Sequence, residues 1–121
     1  MPRYSGLTPY AIGVLSSRME FEELPTFTRQ MMALMDDAEY AELQTALAAR
    51  PDAGKLIPHS GGLRKLRWAG SGRGKRGGLR FIYYWWVSES LISLLALYAK
   101  SRKDDLSAAE LKQLRQIIES E

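Results

Sequence analysis

The residues of this chain that are best suited to chemistry are cations in its middle. Between residues 61 and 80 there are seven cationic side chains and no acidic one. The whole chain carries a formal net charge of only +3, so the positive charge is local. Cations held on a rigid strand and flanked by glycines predict a defined docking surface for a polyanion.

Within this segment, Lys65 lies between Arg64 and Arg67, and Arg80 opens the next predicted strand. Neighbouring cations can depress the pKa of a lysine, which then acts as a base. Arginine stays charged and binds phosphate oxygens. The pattern therefore allows metal-free RNA cleavage, in which the ribose 2′-hydroxyl attacks the adjacent phosphate. Lys65 is the candidate base, and Arg67 and Arg80 would stabilise the charge on the phosphate.

Other site types fit the sequence less well. Gly74-Lys75 is followed by Arg76, whereas a P-loop requires Ser or Thr there. The chain has no cysteine and one histidine, His59, and its acids form no compact cluster, so we expect no metal and no cofactor. No apolar run approaches the ~20 residues of a membrane-spanning helix. The N-terminal stretch AIGVL is also shorter than the apolar region of ~7–15 residues in a signal peptide, so we expect a soluble, unexported protein.

The order of the predicted elements is β–α–α–β–β–β–α, an α+β fold of one domain over residues 19–121. Residues 1–18 show no period and contain four Pro or Gly, which predicts a flexible N-terminal extension or an over-long start before Met19. Four predicted strands cover 19–24, 63–69, 79–87 and 91–99, and the last three should form an antiparallel meander. We expect the helices to cover one face and to leave Lys65 and Arg67 on a partly open face.

Several boundaries have local signals. Pro25 should interrupt the chain, and Thr26 can cap a helix over 27–34. Asp36 followed by Glu39, and Ser107 followed by Glu110, resemble capping boxes that open the second helix and the C-terminal helix. Pro51 should end the second helix, and residues 52–62 read as a loop.

Large apolar side chains are expected to pack in the core. This applies to Met31, Met32 and Met35, for which a partner surface is the alternative. It also applies to the aromatic residues of the strands, for which base stacking is the alternative: Trp68, Tyr83, Tyr84, Trp85 and Trp86. Trp85 and Trp86 must face opposite ways. His59 is interpreted as a surface residue.

Four segments of the chain resemble a known family. GGLRKLRW, GKRGGLRFIYYWW and LYAK, followed by DDLSAAELKQLRQII, are similar to the RelE/HigB superfamily, closest to its HigB-like branch, over about residues 19–121. The resemblance implies a compact fold with a mainly antiparallel sheet of about four strands, N-terminal helices and a C-terminal helix. It also implies a cytoplasmic toxin of a bacterial type II toxin–antitoxin module, a ribosome-dependent endoribonuclease that cuts mRNA without metal.

The resemblance also implies roles for individual residues. Family positions for basic residues map onto Lys65, Arg67, Arg80 and Lys100. Some relatives use a tyrosine or histidine late in the sheet as acid or base, and Tyr98 is the nearest candidate here. RNA-binding roles are expected for further cations of the strand, the glycine-rich arm and the turn after the last strand: Arg64, Arg73, Lys75, Arg76 and Arg102.

The implied partners are the ribosome with its mRNA and a cognate antitoxin of the helix-turn-helix type, through which the protein would meet DNA only indirectly. Two alternatives stay open. ParE-like relatives poison DNA gyrase and lack RNA chemistry. A basic RNA-binding module without catalysis would also fit the cationic pattern.

Overall fold

The computed structural model describes residues 3–4, 18–69, 78–103 and 105–121. Within these residues, six strands and three α-helices follow each other: β1 (Arg3–Tyr4), β2 (Glu20–Glu23), α1 (Pro25–Leu34), α2 (Asp37–Ala49), β3 (Lys55–Leu56), β4 (Arg64–Trp68), β5 (Leu79–Trp86), β6 (Leu91–Ala99) and α3 (Ala108–Glu119). The strands form one sheet in the order β1-β2-β6-β5-β4-β3. The α+β class predicted from the sequence is thereby confirmed.

The centre of the sheet is the predicted antiparallel meander β4-β5-β6. Strand β2 pairs with β6 in parallel. The two additional strands, β1 and β3, are only two residues long and lie at the two edges. Strand β3 lies in residues 52–62, which were predicted as a loop. Strand β1 lies in the predicted N-terminal extension. Residues 1–2 and 5–17 of this extension are outside the described part of the chain.

The helix boundaries follow local chemistry. Asp36 caps α2 by accepting a hydrogen bond from the Glu39 backbone N–H at 2.8 Å, as predicted. Ser107 and Glu110 form the predicted capping box of α3. Helix α1, however, begins at Pro25, so the predicted start at Thr26 is wrong. Proline at the first helical position has no N–H to satisfy and a φ angle suited to a helix, so it starts α1 instead of interrupting the chain.

The sheet is covered on both faces, which corrects the expectation of helices on one face. Helices α1 and α2 pack on one face, where their core includes Phe27, Leu43 and Phe81. Helix α3 packs on the other, where Ile118 belongs to the same cluster as Ile82. Central strands that are apolar on both faces need two covering layers. The face that carries Lys65 and Arg67 is therefore only partly open, beside α3.

The aromatic residues of the strands pack in these two cores, and Trp85 and Trp86 contact opposite clusters, as predicted. Met31 and Met35 are buried, but Met32 is 72% exposed, so its predicted core position is wrong. Residues four apart share a helix face, whereas the next residue is rotated away from it. Among the helices of the described residues, none has the length and apolar character that crossing a membrane requires.

Candidate functional site

The register of the central strands brings the predicted site residues into adjacent rows. Arg67 of β4 lies opposite Arg80 of β5, and Arg80 lies opposite Tyr98 of β6. One step along the same face, Lys65 lies opposite Ile82. Directly opposite residues have Cβ atoms about 4.5–5.5 Å apart. Four of the five predicted catalytic residues, Lys65, Arg67, Arg80 and Tyr98, thus lie on one patch of the sheet.

Arg80 is the most deeply placed cation of this patch, with 7% of its surface exposed. Its Nη1 donates to the Leu79 carbonyl at 3.3 Å. A Cβ at position 78 would lie 3.3 Å from this Nη1, so Gly78 leaves the room that the guanidinium occupies. Within the described part of the chain, Arg80 has no ion pair with a carboxylate. A guanidinium carries five N–H donors and no acceptor, a set of groups that suits an anion.

Arg67 is exposed and lies across from Arg80. Like charges that lie directly opposite on neighbouring strands destabilise the pair. An anion, from this chain or from a ligand, would reduce the repulsion between these two guanidinium groups.

Asp105 supplies such an anion from the connection between β6 and α3. Its carboxylate accepts a hydrogen bond from the Lys65 ammonium and forms an ion pair with it. The hydrogen bond and charge of Lys65 lower the pKa of Asp105, and the charges of Arg80 and Arg67 lower it further. Three cations from two strands therefore favour the charged form of one carboxylate. Phosphate oxygens bind lysine and arginine in the same way as carboxylate oxygens do.

A cavity of about 700 Å³ opens beside this ion pair. Lys65, Ile82 and Tyr98 line it from the sheet. Leu56 of β3 and Leu111 of α3 line it from two other elements, and Arg67 and Asp105 are also in its wall. The cavity thus combines cations with apolar surface, which is the usual composition of a ligand site in proteins.

Tyr98 is 8% exposed and has a further cation near its ring. The Lys103 ammonium lies 5.9 Å from the ring centroid and also donates to Glu110 at 2.8 Å. The hydrogen bonds from Lys103 and from the Ser107 backbone lower the pKa of the Glu110 carboxyl. Lys103 is therefore a neighbour of the candidate site that the sequence interpretation did not single out.

The other predicted residues lie elsewhere. Arg64 donates through Nη1 to the Gly54 carbonyl at 2.7 Å, which ties the loop before β3 to β4. Lys100 is exposed in the turn after β6, where its backbone N–H donates to the Gly78 carbonyl at 3.0 Å. Arg102 lines a different cavity, of about 450 Å³, beside α1. Their RNA-binding or catalytic roles stay predictions, and Arg73, Lys75 and Arg76 lie outside the described residues.

Sequence interpretation missed Asp105, because its partner Lys65 is 40 residues away. The only local signal was an acidic residue just before a capping box, where acids are common.

Chemically, the arrangement of Lys65, Arg67 and Arg80 can bind a phosphoryl group and stabilise charge that develops on it. When the sequence is compared with models of known protein families, none of them matches the chain.

Proposed function

We propose that this protein is a metal-independent endoribonuclease that cuts mRNA on the ribosome and so inhibits translation, as the toxin of a type II toxin–antitoxin module. One observation carries the proposal: the strand register brings Lys65, Arg67 and Arg80 onto one patch of the sheet, where Lys65 already binds the carboxylate of Asp105. Fixed cations around one anion stabilise a phosphate whose negative charge increases during cleavage. The resemblance of the sequence to the RelE/HigB superfamily agrees with this chemistry.

In the proposed reaction, the 2′-oxygen of a ribose attacks the adjacent phosphorus. The 2′-O–P bond forms and the P–O5′ bond breaks, which leaves a cyclic phosphate on one fragment and a 5′-hydroxyl on the other. One proton leaves the 2′-hydroxyl, and one proton reaches the departing 5′-oxygen. The balance requires no water molecule and no redox partner.

Each residue of the patch has a proposed role in this reaction. Arg67 and Arg80 bind the non-bridging phosphate oxygens, because guanidinium groups keep their charge. Lys65 is the proposed base. Its ammonium donates to Asp105, so the RNA has to displace this carboxylate, and Lys65 has to give one proton to the solvent before it accepts the proton of the 2′-hydroxyl. Proton exchange with the solvent restores the residues after the products leave. Tyr98 lies next to Arg80 in the register and is better situated than Lys100 to assist the departing oxygen.

The proposed partners follow from the chemistry and from the resemblance. A lysine and two arginines are a weaker acid–base set than a pair of histidines, so the RNA must be held in line for attack, and we assign this task to the ribosome. A cognate antitoxin of the helix-turn-helix type would neutralise the protein in the cytoplasm. Contact with DNA would then be indirect, through the antitoxin.

The test is to induce the protein in cells and to map the 5′ ends of translated mRNA by primer extension. We expect new 5′ ends within coding regions and growth arrest. The Lys65→Ala/Arg67→Ala variant should produce neither. The Arg29→Ala/Lys112→Ala variant removes two exposed cations from α1 and α3 and should act like wild type.

Two results contradict the proposal at different levels. If Lys65→Ala/Arg67→Ala cuts as well as wild type, the site assignment is wrong. If folded wild-type protein cuts no translated mRNA, the function is wrong. If no mRNA is cut, the ion pair between Lys65 and Asp105 favours an RNA-binding protein without catalysis, because an amine that donates to a carboxylate is not a free base. The protein would then be a basic RNA-binding module with steep salt dependence.

A further inference from the structure

The cavity beside Lys65 has more apolar surface than a phosphate site needs. Leu56 and Ile57 line it from the β3 side, and Leu106 and Leu111 line it from the start of α3. Phosphate oxygens are bound by cations and by N–H and O–H donors, and none of these four side chains supplies one. They form a second region of the same cavity, with different chemistry.

Leu56 is the most informative of these residues, because it is 59% exposed. It lies on the two-residue edge strand β3, whose other residue is Lys55. Strand β4 places Arg64 opposite Leu56 and Lys65 opposite Lys55. A single exposed apolar side chain is common on a protein surface, but Leu56 lines the same cavity as Lys55, Lys65 and Arg67. This combination fits a ligand in which an apolar part is followed closely by an anionic part.

The size and charge of the cavity narrow the ligand further. Its volume, about 700 Å³, lies within the range of about 300–1,000 Å³ that is usual for sites of small organic ligands. Lys55, Lys65, Arg67 and Asp105 line it, which leaves two more positive than negative charges. A nucleotide matches both features, because a flat base is joined through one sugar to a phosphate.

We infer that this cavity is a nucleotide subsite, in which one base of the RNA lies against Leu56, Leu106 and Leu111 while its adjacent phosphate lies at Lys65 and Arg67. The inference rests on the proposed function, because it describes how the substrate of that site is held. Unstacked bases of single-stranded RNA are commonly held by their faces, and phosphate contacts fix the position of the strand.

The test measures binding to the full chain by calorimetry with three ligands. The first is a trinucleotide whose 2′-hydroxyls are replaced by hydrogen, so that it cannot be cut. The second is the same trinucleotide without its central base, and the third is inorganic phosphate. The first two carry equal charge, so a difference between them reports on the base. We expect the intact trinucleotide to bind about tenfold more tightly than the abasic one.

A matched pair of variants locates the effect. Leu56→Ser should weaken binding of the intact trinucleotide about threefold, because it removes apolar contact area, and should leave binding of the abasic one unchanged. Val87→Ser makes a similar change at a residue that is 65% exposed and does not line the cavity, so it should change neither affinity.

The outcomes separate this inference from the proposed function. Equal affinities for the intact and abasic trinucleotides, with mRNA still cut in cells, overturn the subsite and leave the nuclease in place. A preference for the intact trinucleotide that Leu56→Ser reduces from about tenfold to about threefold supports the subsite even if no mRNA is cut. Binding of neither trinucleotide overturns the inference, and a loss of affinity in Val87→Ser equal to that in Leu56→Ser overturns the location.

Discussion

The carboxylate of Asp105 is bound to the ammonium of Lys65, although 40 residues separate them in the chain. It lies where we propose that the RNA phosphate binds, so carboxylate and phosphate exclude each other. Asp105→Asn keeps the shape of the side chain and removes its charge. We expect this variant to bind uncleavable RNA about fivefold more tightly at low salt, because the competing anion is removed and the local charge becomes more positive.

Fluorescence anisotropy with a labelled, fully 2′-deoxy strand measures this change over a series of salt concentrations. Glu119→Gln is the control, because Glu119 forms an exposed ion pair with Arg115 on the outer part of α3. A gain in affinity that is equal in the two variants would indicate a general charge effect. Weaker binding by Asp105→Asn would show that Asp105 supports the site and does not compete for it.

Arg67→Ala should change stability and RNA binding in opposite directions. The free protein holds Arg67 directly opposite the buried Arg80, and like charges in this relationship repel. We expect the variant to raise the free energy of unfolding by about 0.5 kcal/mol and to weaken RNA binding. Urea unfolding and anisotropy measure the two quantities.

Arg29→Ala is the control for this prediction, since Arg29 is exposed on α1, which packs on the opposite face of the sheet. It should change neither quantity by a measurable amount. A clear loss of stability in Arg67→Ala would mean that the guanidinium makes a stabilising contact in the free protein, and the argument from repulsion would be wrong.

The glycine-rich arm should act through charge alone. We expect the replacement of Arg73, Lys75 and Arg76 by alanine to make the dependence of log affinity on log salt shallower. The slope should decrease by about 0.7 for each phosphate of single-stranded RNA that these cations neutralise. Cleavage at saturating substrate should stay near the wild-type level. If the triple variant binds RNA with an unchanged slope, these residues do not bind phosphates.

The pH dependence of stability should reflect Glu110. Its pKa is lowered from 4.5 in the folded protein, first by the hydrogen bond from Lys103. A carboxyl group with a lowered folded pKa contributes stability that is fully present above the unfolded value and is lost as the pH falls through the folded value. The difference in unfolding free energy between wild type and Glu110→Gln should therefore be constant above about pH 5.5 and should shrink below about pH 4.5.

Urea unfolding at a series of pH values measures this difference. Glu42→Gln, at an exposed position of α2, is the control and should show a smaller dependence on pH. A difference between wild type and Glu110→Gln that grows as the pH falls has the wrong sign and would contradict the assignment of Lys103 as the partner.

Strands β5 and β6 could be predicted from the sequence almost to the residue, because their apolar residues occupy both faces. The capping residues Asp36 and Ser107 were equally readable, since each contacts a backbone N–H only three residues away. These features depend on short stretches of chain. The shared face of Lys65 and Arg67 also followed from alternation along one strand, whereas the pairing of Arg67 with Arg80 depends on a register that the sequence did not specify.

What the sequence did not predict depends on distant contacts or on very short elements. The apolar residues of α3 predict that one side of the helix is buried, but they do not predict which face of the sheet it covers. That depends on the path of the chain between β6 and α3. Strand β3 is too short to show an alternation. The error at Met32 arose because composition suggested a core cluster, whereas the phase of the helix decides which methionine is buried.

The capping box of α3 has one more consequence. Ser107 fixes the first turn of the helix only two residues after Asp105, through reciprocal hydrogen bonds with Glu110. If an RNA phosphate displaces Asp105 as proposed, it therefore would not have to unwind the first turn of α3. The exchange of carboxylate for phosphate would then leave the packing of α3 against the sheet unchanged.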